Sequence, residues 1–399
     1  MRGRTLEKKL EPQRNCEISS DEKNALRLVL HREIPEDDRL ACQWNGLVLQ
    51  MECPEVFYTY EWALAVSRAY GSSVAPLLIL AYDQDSLVGV VALATDSMRR
   101  GTFFLTSTTA DYCDFISSPA NRADFVSLVF GELRRLRIPA LMAANLPADS
   151  VTSSTFPTTS EPQGYRAFSR PAHLCSQIAL GSFVERRKLR DVVANRKALR
   201  YFLKSLERRG PLSIDHLKSR ENLQTALPEF IRAHIARFSA TGRRSNLSRP
   251  ERQVFLIELA GLLSTAGWIV LSCLRVGDNS VAWNYGFKFS GSWFYYQPTF
   301  DCGWRKFSPG FCLLSKIVEA ACDDPAIERI DLGLGAEGYK ERFATGTRQT
   351  SDVTITASTT HYLREAARYH VATAIKSSPR IEHGVRRILG RVPVGSGQG

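Results

Sequence analysis

Apolar residues recur at helical spacing at Trp62, Ala65, Val66 and Ala69, which predicts a helix over residues 60–69. Two apolar runs, 76–82 and 87–94, are joined by Asp83-Gln84-Asp85-Ser86 and read as a β-hairpin. The pattern then gives a strand over 102–106, a polar turn over 107–114, a helix over 123–136 and a strand over 140–143. Upstream, residues 21–33 predict a short helix and residues 47–51 the first strand. The second half repeats this plan at greater length. It predicts a strand over 175–180, a helix over 186–209, a strand over 212–216, helices over 223–238 and 250–265, and strands over 268–276, 280–289 and 292–298. A helix over 309–322, a strand over 328–332 and a last strand near 352–358 complete it. Strands and helices intermixed in both halves indicate an α/β chain with a mixed sheet, and no short period marks a solenoid.

Length and composition turn this pattern into domains. At 399 residues and 44% hydrophobic, the chain can fill two cores. Residues 1–22 are charged and read as flexible, 23–146 as an N-terminal domain, 147–165 (rich in Pro, Ser and Thr) as a linker, 166–360 as the larger domain, and 361–399 as a basic helix and tail. The longest apolar runs, such as 87–94, are far shorter than the roughly 20 residues that span a bilayer, so a soluble, cytoplasmic protein is expected. The nine cysteines contain no C-x-x-C pair, which points to free thiols in a reducing compartment and away from a zinc site.

The formal charge of +11 is concentrated: residues 185–209 carry +7 and residues 361–399 carry +5, leaving the rest near neutral. In 186–209, Leu189, Val192, Val193, Leu199, Leu203 and Leu206 form an apolar stripe while cations fill the other faces. Such a face is either simply solvated or addressed to cofactor phosphates, an acidic acceptor or RNA.

Residues 294–343 carry the most chemistry. An aromatic strand, a loop ending Ser308-Pro309-Gly310, an apolar helix and a second strand place free backbone amides and the positive end of a helix dipole above the loop, a setting suited to a pyrophosphate. Proline fits the first helical turn, so Ser308 also reads as an ordinary helix cap. Gly333-Leu334-Gly335-Ala336-Glu337-Gly338 matches a dinucleotide fingerprint, but too few residues follow for the helix and distal acid that a nucleotide-binding unit needs. There is no G-x-S-x-G, Walker A or H-E-x-x-H motif, and Cys302 and Cys312 read as buried thiols.

The order Tyr296-Gln297-Pro298, Ser308-Pro309-Gly310, Asp331 and Glu337-Gly338-Tyr339-Lys340 resembles the GNAT superfamily of N-acetyltransferases, and within it the cellulose-biosynthesis (CelD/BcsL-type) branch. The resemblance extends over about 40–360 through Trp62, Leu87-Val88-Gly89, the turn from Asp111 to Asp114, the basic helix, and His234 with Arg237. It implies two GNAT-like halves, the second more complete, and acetyl-CoA or another acyl-CoA as co-substrate, with no metal. It assigns cofactor binding to Tyr296, Gln297, Arg305, Lys306, Phe307, Ser308, Gly310 and Phe311. Direct acyl transfer needs a base for the attacking group and an acid for the thiolate. Glu337, Asp301 and His234 are the candidate bases and Tyr339 the candidate acid; Lys340 and Arg342 would hold an acidic group, and Arg237, Phe238 and Arg243 would line the acceptor side. By family association the acceptor is a small molecule, a sugar or a glycan precursor, taken at an amine or hydroxyl. Two rival readings are a FemABX-like peptidyltransferase fed by aminoacyl-tRNA, which the basic segments would suit, and a GNAT-fold binding protein without catalysis.

Overall fold

The computed structural model describes residues 26–96, 101–335 and 338–377. The expected flexible segment 1–22, the end of the basic tail and Glu337 lie outside the described residues.

The first half runs β1 (Arg27–His31), α1 (Asp38–Val48), α2 (Tyr60–Tyr70), β2 (Ala75–Asp83), β3 (Ser86–Asp96), β4 (Gly101–Phe104), the two-residue β5 (Ile116–Ser117), α3 (Arg122–Arg135), β6 (Ala140–Pro147), α4 (Val151–Ser160) and β7 (Arg166–Ala179). The second runs α5 (Phe183–Ala194), α6 (Lys197–Glu207), β8 (Leu212–Leu217), α7 (Arg220–Ser239), α8 (Pro250–Ala266), β9 (Ile269–Val276), β10 (Asn279–Phe289), β11 (Ser292–Phe300), α9 (Pro309–Asp323), β12 (Arg329–Leu334), α10 (Gly338–Glu341), β13 (Gly346–Thr356) and α11 (Thr359–Ser377). The hairpin β2–β3 and the three strands β9, β10 and β11 sit where their apolar patterns put them.

Four expectations are corrected. Residues 27–31 form an edge strand on β2, not part of a helix, because Leu28, Val29 and Leu30 pair with the β2 backbone. Residues 47–51 end a helix: Asp37 caps α1 by accepting the Leu40 amide at 2.9 Å, and Leu40, Trp44 and Leu47 form its buried stripe. The basic helix is two, because Asn195 ends α5 and Arg196 takes an extended backbone (ψ 118°) before α6 starts. The linker is core. Ser150 caps α4, and Phe156 packs edge-on against Phe115 at 5.6 Å and against Phe130 at 5.7 Å.

The halves share one 13-stranded sheet, ordered β1-β2-β3-β4-β6-β13-β7-β12-β11-β10-β9-β8 with β5 on β3. Two strands are exchanged. β7 ends the first half yet pairs with β12 of the second, while β13, from the end of the second half, pairs with β6 of the first. β7 and β13 pair antiparallel with each other along their lengths.

Polar groups close the seam. Asp331 on β12, 1% exposed, accepts hydrogen bonds from Tyr112 Oη at 2.7 Å, Gln177 Nε2 at 2.9 Å and the Gly333 amide at 2.8 Å. Arg348 on β13 meets the buried Glu55 at 2.5 Å and lies 4.8 Å from the centre of the Tyr112 ring. Arg329 stands 3.8 Å from the same Glu55. Removing one member of a buried ion pair leaves the other uncompensated. Arg348→Ala is therefore expected to lower stability by about 3 kcal/mol, read as a shifted midpoint in urea unfolding; a change below ~1 kcal/mol would deny the seam its structural role.

Candidate acyl-donor site

The site begins where two parallel strands part. β11 and β12 pair only at Ser292 with Arg329, Trp293 with Ile330 and Phe294 with Asp331, after which β11 continues to Phe300 and β12 to Leu334. At the same point β11 bulges: Phe294 to Gln297 on β11 faces Phe287 to Tyr285 on β10, one residue more on the β11 side. Gly286 permits this, because a side chain there would lie 2.5 Å from the Phe294 carbonyl oxygen. The backbone of β11 beyond Phe294 thus turns one edge away from the ladder, toward a cleft of about 920 Å³.

Three kinds of group line the cleft. Tyr295, Pro298, Thr299 and Phe300 come from β11; Ser308, Gly310 and Phe311 come from the start of α9; Tyr339 comes from α10. Around them stand Arg237, Arg243, Arg305 and Lys306, and among the described residues the lining carries no acid. Arg237 is fixed, donating to the Pro298 carbonyl at 3.0 Å with its guanidinium 4.6 Å from the centre of the Phe300 ring. Ser308 has left-handed backbone angles (φ 48°, ψ 51°) and makes no side-chain capping bond. A non-glycine residue held there costs on the order of 1–3 kcal/mol and persists where its surroundings impose it. The α9 N-terminus, with its dipole and first-turn amides, consequently opens on a cation-rimmed cavity.

The structure gathers Arg305, Lys306, Ser308, Gly310, Phe311 and Tyr339 in this cleft together with Arg237 and Arg243, which the resemblance put on the acceptor side. Other candidates lie elsewhere. Tyr296 faces the first half, accepting from Arg252 at 2.5 Å and donating to the Thr109 carbonyl. Gln297 is buried, with Oε1 lacking a hydrogen-bond partner among the described residues. Phe307 packs into the second core beside Trp304. Asp301 caps the turn after β11 through the Gly303 amide at 2.9 Å, next to the cleft rim. Lys340 is no surface cation: it is buried and donates to the Leu334 carbonyl at 3.0 Å. Arg342 is exposed over the Phe311 ring at 5.9 Å.

His234 is buried on α7, its Nδ1 2.8 Å from Ser245 Oγ and its ring stacked on Phe238 at 4.7 Å. Burial, reinforced by Arg237 and Arg252, pushes its pKa down to about 4. Cys312 is on the buried face of α9, and burial raises its thiol to about 12, so it stays protonated at neutral pH.

One group went unassigned in the sequence. Asp111, in the loop after β4, has its carboxylate beside Gly333 of β12, and burial first and the Asp331 charge second raise its pKa to about 7. Only the turn from Asp111 to Asp114 as a whole was marked in the sequence, since nothing local pairs residue 111 with residue 333.

This architecture is a tandem GNAT-like fold. The acetyltransferase (GNAT) domain family matches residues 194–341, from the end of α5 to α10; the exchanged β7 and β13 lie just outside the match. No curated protein matches the chain. Among solved structures it is similar to FemX, at 8% identity and TM-score 0.56, over 78% of this chain and 95% of that one. It is also similar to the C-terminal domain of a protein assigned as a lysylphosphatidylglycerol synthetase from Agrobacterium fabrum, at 11% identity and TM-score 0.52, over 85% and 96%. At these identities the likeness is one of fold. Among the described residues no helix is long and apolar enough to cross a membrane.

The depressed His234 pKa has a sign. An unfolded histidine takes a proton below about 6.5, whereas the folded one refuses it down to about 4. The associated stability is therefore complete above pH 6.5 and is lost as pH falls toward 4, by up to about 1.4 kcal/mol per pH unit. His234→Gln is expected to flatten the fall in melting temperature between pH 6.5 and 5; an unchanged slope would show that His234 titrates normally.

Proposed function

We propose that this protein is an acyltransferase that binds an acyl-CoA, with acetyl-CoA as the first choice, where β11 and β12 part. The acyl group passes directly to an amine or hydroxyl of a small molecule, with a sugar or glycan precursor as the class the cellulose-biosynthesis resemblance suggests. The observation that carries this reading is a single cleft that joins the stretch of bulged β11 beyond its pairing with β12 to a ring of cations at the α9 N-terminus, with no acid among the described residues of its lining. An extended pantetheine arm with amide groups suits the backbone of such a strand. A pyrophosphate suits first-turn amides with Arg305 and Lys306 beside them. Tyr339, in the same cleft, is our candidate to protonate the departing thiolate.

A second reading has its own support. The likeness to FemX and the exposed cations of α5 and α6, such as Arg187, Lys188, Lys197, Arg200 and Lys204, favour an aminoacyl-tRNA donor.

Titration calorimetry separates the two. Gly310 lines the cleft with room for a side chain, the nearest atom to an added Cβ being Phe300 Cδ1 at 3.5 Å. Acetyl-CoA is expected to bind the unaltered protein, and Gly310→Glu to weaken it at least ~30-fold, about 2 kcal/mol, by setting a carboxylate against the phosphates. Salt-sensitive tRNA binding with no acetyl-CoA binding would establish the second reading.

A further inference from the structure

We infer that Asp111, carried by the first half, is the group that takes the proton from the attacking amine or hydroxyl, reaching across the seam to the point where β11 and β12 part. The inference rests on the acyl-CoA reading above and adds a residue from the other half of the chain to it.

The geometry is local to the apex of the split. Past the last pair, Phe294 with Asp331, the chain of β12 turns at Gly333 with φ 71°. A methyl group on Gly333 would sit 2.6 Å from Asp111 Oδ2 and 3.7 Å from the Tyr295 carbonyl oxygen. The Asp111 carboxylate, the first β11 residue beyond the pairing and the first turn of free β12 therefore meet at one place. Tyr295 is also a wall of the cleft, so this apex adjoins the cleft that carries the α9 cations. In a donor held along β11 beyond the β12 pairing, with its phosphates at α9, the thioester is the end directed at it.

The neighbouring carboxylates are occupied. Asp331 already accepts three hydrogen bonds, and Asp301 caps a turn at the cleft rim. The loop bearing Asp111 is held over β11 and β12 by the Tyr112 bond to Asp331 and the Tyr296 bond to Thr109. Asp111 is half-buried there. Among the described residues, the charged and titratable groups around it are Asp331 on β12, Lys340 on α10, Arg252 on α8, Tyr296 on β11, Cys175 on β7 and Cys113 on its own loop. Burial and Asp331 raise its pKa toward neutrality against the pull of Lys340 and the Leu334 amide, which suits a proton acceptor working near pH 7.

The step balances. The acceptor nitrogen or oxygen attacks the thioester carbon; the new C–N or C–O bond forms as C–S breaks. The acceptor's proton passes to the Asp111 carboxylate, and the thiolate takes a proton from Tyr339 or water. Asp111 then returns its proton to solvent.

The test uses the full chain and acetyl-CoA. At pH 7 a water-soluble carbodiimide with glycine ethyl ester labels carboxyls that still carry a proton. Asp111 is expected to be labelled at least tenfold faster than the exposed carboxylates and to be shielded by saturating acetyl-CoA, with sites read by peptide mass spectrometry. Asp111→Asn is expected to keep its acetyl-CoA affinity within about threefold while CoA release to water, which needs the same proton acceptor, falls about 100-fold; Asp111→Glu recovers part of it. No label at Asp111, a label that bound acetyl-CoA leaves unchanged, or equal CoA release by Asp111→Asn and the unaltered protein overturns the inference. Absence of acetyl-CoA binding in calorimetry overturns the acyl-donor reading itself, and the inference falls with it.

Discussion

The antiparallel pairing of β7 with β13 is the constraint on which the rest of the molecule depends. Each of these strands completes the sheet of the half to which it does not belong in sequence. Neither half can satisfy its own backbone hydrogen bonds alone, so the two are locked at one relative position. That lock allows a loop near residue 111 to meet a strand near residue 331 with hydrogen-bond accuracy, as the Tyr112–Asp331 bond shows. It also explains why Glu55, Arg329 and Arg348, far apart in the chain, are buried together without the cost of isolated charges.

The α9 end of the cleft holds Arg237, Arg243, Arg305 and Lys306, and its described lining carries no acid, whereas at the seam Asp111, Asp331 and Glu55 stand among Lys340, Arg252, Arg329 and Arg348. A substrate with an anionic tail is oriented by the unbalanced cations of the α9 end. The two backbone irregularities fall where such a substrate needs them: the β11 bulge frees a strand edge, and the left-handed Ser308 turns the chain into α9.

Much of this was legible in the sequence, for identifiable reasons. The three strands β9, β10 and β11, the helix α9 and the strand β12 are set by local period and by Ser308-Pro309-Gly310, which is why Arg305, Lys306, Ser308, Gly310 and Phe311 lie together at the start of α9. What failed was long-range or competitive. The β1 segment reads as helix until β2 offers it a partner, and the Pro, Ser and Thr of 147–165 conceal a helix because Phe156 has an aromatic core to enter. Lys340 looks like a surface cation until β12 places the Leu334 carbonyl above it. Asp111 could not be assigned because its neighbour Gly333 lies on the far side of a strand exchange.

Hydrogen exchange with and without acetyl-CoA tests the central claim most directly, that the parting of β11 and β12 is the acyl-donor site. The account predicts slowed exchange at the amides of 296, 297, 299 and 300, on β11 beyond its pairing with β12, and of 310–312, in the first turn of α9, with the paired β7–β13 amides already slow and unchanged. Binding that protects neither segment, or that protects only the exposed faces of α5 and α6, would contradict it.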